Sequence, residues 1–288
     1  MAVDPNMDTA PKAANRLSRI LDAYAAAGHQ VRFPVDVNQL LRGAAEQFGY
    51  DDPVLEVKSE RLPSFEAGLF RVTKGWVVVY NETVQSSGRI RFSLAHELGH
   101  YLLHRGQNDN FQCSQQDMLG RTAAERVIEQ QADEFASTLL MPLNHFREQV
   151  DDKRIDFEML GACAELFGVS LTSTALRWVS ATAESAVLVL ARDGYMDWAV
   201  SSKRALQSGA YFKTRGQVRE LPAGALASNL TVPSSKSGQE IAASAWFEHA
   251  HPAASLREMK LACDNYGYTL SLLHLSSGES MWAPRECP

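Results

Sequence analysis

Apolar positions recur every three or four residues along much of the first 180 positions, then at every second residue further on. Residues 12–27 put Leu17, Ile20, Leu21 and Tyr24 on one face, with Arg16 and Arg19 between them and Gly28 as a stop; the pattern predicts a helix. Residues 36–48 repeat it with Val37, Leu40, Leu41 and Ala44 inward and Gly49 at the end. Three β-rich runs follow, 54–58, 67–72 and 76–80, and Lys74-Gly75 between the last two is a hairpin signal. In residues 89–105, RIRFSLAHELGHYLLHR, Phe92, Ala95, Leu98, Gly99, Leu102 and Leu103 mark an amphipathic helix, with Gly106 placed as a left-handed cap. Residues 107–120 are polar and irregular and read as a loop. A second strong helical stretch, TAAERVIEQQADEFASTLLMP, runs from Thr122 until Pro142 ends it, and 143–182 is helical again with breaks.

The pattern changes near Glu184, which marks a domain boundary. Residues 186–191 and 196–200 flank Arg192-Asp193-Gly194 as strand, turn and strand. A Gly/Ser-containing loop is expected at 233–238 and an apolar strand at 268–275. The resulting division is a disordered tail at 1–11, a core at 12–150, a helical extension at 151–184 and a smaller α+β domain at 185–288, for which a sensor or partner-binding role is an expectation.

The chemistry concentrates in the helix at 89–105. His96 and His100 stand at i and i+4, one turn apart on one face, where both imidazoles reach one cation. Glu97 is about 100° further round, beside such a cation, in the place of a general base that takes a proton from water. A third ligand is sought on the helix that starts at Thr122. There Glu129 shares a face with Ala132, Asp133, Ala136 and Leu140, and buried carboxylates need a partner. Glu129 is assigned as ligand, with Glu125 its competitor one turn earlier. Asp133 is assigned as the acceptor that orients a ligand histidine. Gln131 and Glu134 fall on the far side. His104 extends the row to i+8 and has three readings: a ligand in place of Glu129, an oxyanion donor, or, favoured, a histidine stabilised at a helix end. Trp76, Val78 and Tyr80 lie on the strand preceding the metal helix; that strand is expected to accept a substrate peptide at its edge, against an equal reading as an internal strand. Arg89 and Arg91 are expected to pair with acidic groups near the helix start, in preference to steering a substrate carbonyl or carboxylate.

RIRFSLAHELGHYLLH followed by EQQADEFASTLLMP resembles the ImmA/IrrE family of bacterial and phage zinc metallopeptidases, whose blocks run roughly R-x-R-F-[ST]-x-A-H-E-x-G-H and E-x-x-A-[ND]-x-F-A-x-x-L-L-M-P. The likeness is specific over residues 76–178 and weak over the last third. It implies a zincin-like α+β core, His96, His100 and Glu129 as zinc ligands, with manganese or another divalent ion as alternatives, and Glu97 as catalytic acid/base. It also implies a helix-turn-helix repressor or an antitoxin-like protein as substrate, whose cleavage relieves repression, and in some members a GAF-like sensor domain at the C-terminal end. The family often carries a glutamate where Gln131 stands.

Composition adds exclusions. The chain has 288 residues, 45% hydrophobic and 22% charged, with a net charge of −6, which gives nucleic-acid binding no support. Residues 162–178 have a helix-turn-helix outline around Gly168, but Arg177 is nearly alone as a cation there, so packing or repressor docking is preferred to DNA reading. Cys113, Cys163, Cys263 and Cys287 are scattered, which suits a reducing compartment, and the first residues lack an apolar leader core; the expectation is a cytoplasmic protein with no membrane partner. The rival functions are a DNA-binding regulator and a metal-stabilised, repressor-docking module without proteolysis. Glu97 argues against the docking module, because a structural site has no use for a carboxylate at that place.

Overall fold

In a computed structural model, the described residues are 9–113, 122–229, 231–263, 266–275 and 281–282. They form a mixed α+β protein that divides into two compact units. The first comprises residues 1–149 and 164–170, the second residues 150–163 and 171–288.

The first unit begins with α1 (Ala10–Ala26) and α2 (Val37–Phe48). Helix α1 therefore starts two residues before the expected position, and Ala10, Ala13, Ala14, Leu17 and Leu21 form its inner face. Tyr24, expected to be inward, is exposed. Helix α2 is bounded as its sequence indicates, by the Asp36 side chain accepting from the Gln39 amide and by Gly49 at φ 69°. Strands β1 (Val54–Glu60), β2 (Ala67–Val72), β3 (Gly75–Asn81) and β4 (Asn110–Cys113) form a sheet of order β1-β3-β2-β4. β2 and β3 are the expected hairpin, whereas β1 runs parallel to β3.

Two expectations are corrected here. β3 is internal, hydrogen-bonded on both sides, with Trp76 and Val78 fully buried, so Trp76, Val78 and Tyr80 offer no free edge to a peptide. Second, residues 110–113 pair with β2 as β4, where a loop was expected; four residues are too few to show an alternation. The rest of that loop, 114–120, lies outside the described residues.

Helix α3 (Ser87–Leu103) carries the His/Glu motif. The Ser86 side chain caps its start by accepting from the Arg89 amide, and it ends at His104, so Gly106 is not its cap. Every residue from Ser93 to Leu103 is buried, which makes this half of the helix a core element enclosed on all sides and not amphipathic. One flank meets the sheet, where Tyr101 lies edge-on to Trp76 with centroids 6.5 Å apart. The other flank meets α4 (Ala123–Leu140), which opens with a capping box between Thr122 and Glu125. Near the α3 start, Arg89 pairs with Glu66, and the Arg91 guanidinium donates to the Gly168 carbonyl. Gly168, at φ 62°, has room for no side chain against Arg91 and Pro34. The turn of the helix-turn-helix outline is thus held within this unit. α5 (Leu143–Val150) follows, and α6 (Phe157–Phe167) is divided between the two units after Cys163.

In the second unit, α7 (Leu171–Ala181) precedes an antiparallel sheet of β5 (Ala186–Arg192), β6 (Tyr195–Ser201), β7 (Ser234–Ala242), β8 (Ser255–Cys263) and β9 (Tyr268–Leu275), in the order β6-β5-β9-β8-β7. A short α8 (Lys203–Ser208) follows β6. The β5–β6 turn has Asp193 at φ 49° and Gly194 at φ 84°, the left-handed pair a tight hairpin needs. The expected loop at 233–238 is instead the start of β7, a strand almost wholly exposed and therefore without an apolar signature.

Val187, Val189, Leu256, Leu273 and Leu275 form this unit's core with Phe212, Trp246 and Phe247. Glu258 is buried among them and accepts from the Leu226 and Ala227 amides and from Trp246 Nε1 at 2.6–2.8 Å. Glu258→Ala strands three buried donors and is expected to lower stability by roughly 3 kcal/mol, read by urea unfolding. Burial pushes the Glu258 carboxyl above the usual range, against the opposing pull of those donors and Lys260. The folded state therefore holds this proton more tightly, and the associated stability is lost as pH rises from the ordinary glutamate range through the raised value. Glu258→Gln should flatten that slope.

Candidate metal centre

The donor atoms of His96, His100 and Glu129 lie within 4.8 Å of one another, the one such group of three among the described residues. His96 Nε2 is 3.4 Å from one Glu129 oxygen, His100 Nε2 is 3.5 Å from the other, and the two imidazole nitrogens are 2.9 Å apart. Ligands at about 2.0–2.2 Å around a tetrahedral ion stand roughly 3.3–3.5 Å from each other, so the carboxylate distances fit a small divalent cation and the imidazole pair is slightly tight. Both histidines are buried, and Glu129 closes the group from α4. Glu125, its competitor, is occupied in the capping box.

What brings α4 so near is a run of small contacts. A side chain at Gly99 would stand 3.1 Å from the Phe135 ring and 3.3 Å from the Ala132 Cα. The absence of a Cβ at Gly99 lets the two backbones approach until the Glu129 side chain spans the gap to two imidazoles.

Asp133 Oδ1 lies 2.9 Å from His96 Nδ1, although the aspartate is mostly exposed. As acceptor, the carboxylate puts the His96 proton on Nδ1 and leaves Nε2 a lone pair facing the group. His104 is fully buried, and both ring nitrogens are engaged: Nδ1 with His100 Nδ1 at 3.1 Å and Nε2 with Gln131 Oε1 at 2.9 Å. It stands behind His100, on the side away from the ligand atoms. That corrects the readings of His104 as ligand or oxyanion donor, and of Gln131 as an outward residue. The wheel treated α4 as an isolated cylinder, whereas a long amide side chain on its flank reaches the end of α3. Burial holds the His104 ring below the usual imidazole range, with Gln131 opposing. Phe111 of β4 was also missed. Its ring stacks on His100 with centroids 4.4 Å apart, and nothing in a polar stretch singles it out beforehand.

Glu97 is completely buried, and neither carboxylate oxygen has a hydrogen-bond partner among the described residues. Its pKa is pushed up to about 8, chiefly by burial, with His96 opposing and Glu129 reinforcing. Two buried, unsatisfied carboxylate oxygens beside a set of metal donors are accounted for by a cation and its water, which supply the missing counter-charge and donor. In the second unit, by contrast, His249 is exposed, and His251 accepts from the Ala253 amide as an ordinary loop residue.

A helix bearing His96, Glu97 and His100, backed by a small sheet and closed by a glutamate from the next helix, is the zincin-like class of peptidase fold. Within that class, residues 51–179 match the model of the peptidase M78 family, described as the IrrE N-terminal-like domain, and the chain carries this domain. No curated protein matches the sequence. The structure is similar to that of a Mycobacterium tuberculosis transcriptional regulator, with a TM-score of 0.57 over 92% of this chain and 76% of the other at 14% identity, a likeness of fold. Among the described residues no single helix is long and apolar enough to cross a membrane.

Proposed function

We propose that this protein is a zinc-dependent metalloendopeptidase that hydrolyses a bond in a helix-turn-helix repressor or antitoxin-like partner and so relieves repression. The observation that carries the peptidase reading is Glu97, a buried carboxylate without partners beside His96, His100 and Glu129. When bound, zinc at these three donors supplies a Lewis acid that polarises the scissile carbonyl and acidifies water. Glu97 accepts the water proton and delivers it to the leaving amine. Asp133 holds His96 in register, and Phe111 packs against the His100 ring. A substrate strand is assigned to the exposed side of β4, an edge of the described sheet, in place of β3. The regulatory part of the reading is supported by the fold shared with a transcriptional regulator. The antiparallel sheet of the second unit suits the GAF-like sensor that the family resemblance implies.

The test is co-expression of the full chain with candidate helix-turn-helix repressors, with cleavage read on a gel and bound metal by elemental analysis. One equivalent of zinc and a cut partner are expected, and His100→Ala should lose both. Stable complex formation with zinc bound and no cleavage would instead favour a docking module.

A further inference from the structure

The row of contacts from His96 to Gln131 constrains where the protons sit in the ligand set, and it does so differently for the two histidines. His96 is held by a carboxylate, which can only accept. His100 is held by another imidazole, His104, and that imidazole in turn by an amide. The two Nδ1 atoms that face each other at 3.1 Å share one proton between them, since one must donate and the other accept. Which of them donates is decided at the far end of the row, by whether Gln131 presents its oxygen or its nitrogen to His104 Nε2.

We propose that Gln131, acting through His104, is the positioning residue that makes His100 a metal ligand. With Gln131 Oε1 accepting, as in the structure, His104 carries its proton on Nε2 and offers the Nδ1 lone pair. His100 then donates from Nδ1 and leaves Nε2 bare, pointing at His96 and Glu129. With the amide reversed, every proton moves one place along the row. His104 donates from Nδ1, and His100 carries its proton on Nε2, where a cation has to be. The two amide orientations are thus a binding and a non-binding state of one site. His104 is fully buried and Gln131 half-buried, so solvent does not readily substitute for either partner. This inference rests on the metal reading above and adds two residues and a direction to it.

The experiment uses the full chain and zinc itself. Zinc affinity is measured by chelator competition for the wild type, Gln131→Met and Gln131→Glu, alongside the thermal midpoint of each metal-free protein. Gln131→Met, which keeps length and loses the acceptor, is expected to bind zinc on the order of 10–100-fold more weakly, with a metal-free midpoint lowered only by the loss of one hydrogen bond to His104. Gln131→Glu, which can only accept, should bind at least as tightly as the wild type. Long-range nitrogen–proton NMR spectra of the zinc-loaded wild type should place the His100 proton on Nδ1 and the His104 proton on Nε2. Gln131→Met binding within twofold of the wild type overturns the inference, as does a loaded His100 that coordinates through Nδ1. A wild type that takes up no zinc defeats the metal reading and this inference together. A wild type that binds, with Gln131→Met binding equally well, defeats the relay alone.

Discussion

Glu97→Gln is expected to keep its metal and lose its turnover. The amide matches the acid in shape, so the packing around a fully buried position is preserved, and none of His96, His100 and Glu129 is touched. What disappears is the carboxylate proposed to carry a proton from water to the leaving amine, the one beside the three donors among the described residues. Loss of a positioned general base costs about 10²–10⁴-fold in rate, and the neutral amide supplies no substitute. Cleavage of the co-expressed partner should therefore fall below detection while elemental analysis returns the wild-type zinc content. If the variant cleaves at a rate within tenfold of the wild type, proton transfer runs through another group and the assignment of Glu97 is wrong.

The second large effect is expected at a residue with no functional atoms. Gly99→Val puts a branched side chain where even a Cβ stands 3.1 Å from the Phe135 ring and 3.3 Å from the Ala132 backbone. Neither helix can yield without moving α4 bodily, because Phe135 is itself fully buried. Overpacking of this kind costs about 1–3 kcal/mol, read as a lower unfolding midpoint. It also carries Glu129 away from the two histidines, so zinc affinity should drop on the order of tenfold or more. Gly106→Val is the control. Among the described residues beyond its chain neighbours, no atom lies within 4 Å of a Cβ there, and both readouts should stay near wild type. Gly99→Val with normal zinc affinity would mean that α4 does not need this approach to present its glutamate.

The site was more legible than its surroundings, for a physical reason. His96, Glu97 and His100 are related by the pitch of one helix, so their mutual geometry follows from spacing alone. Glu129 and Asp133 followed from a second wheel, because two acidic residues on an otherwise small, apolar face require a partner. Gln131 and Phe111 were not recoverable in that way. Gln131 depends on how two helices pass each other, and Phe111 on a four-residue strand whose only recommendation is pairing with β2. The placement of β3 failed similarly. Its alternation announces a strand, but whether a strand is central or marginal is fixed by which other segments pair with it. The parallel pairing with β1 is a long-range event with no local mark. In the second unit β7 was invisible because its side chains are mostly exposed, whereas the Asp193-Gly194 turn was evident because its backbone requires special residues.

The candidate ligands are divided between α3 and α4, successive long helices whose direct contact depends on Gly99, Ala132 and Phe135. A cation bound there ties two stretches of polypeptide together in the manner of a removable cross-link. Stripping it with a chelator should loosen the N-terminal turns of α4 first, because the glutamate lies upstream of the packed alanine and phenylalanine. Amide hydrogen exchange along that helix would then report metal occupancy directly, turn by turn. Without the cation, the candidate metal centre is expected to stand open at one end of α4 while the remainder stays folded.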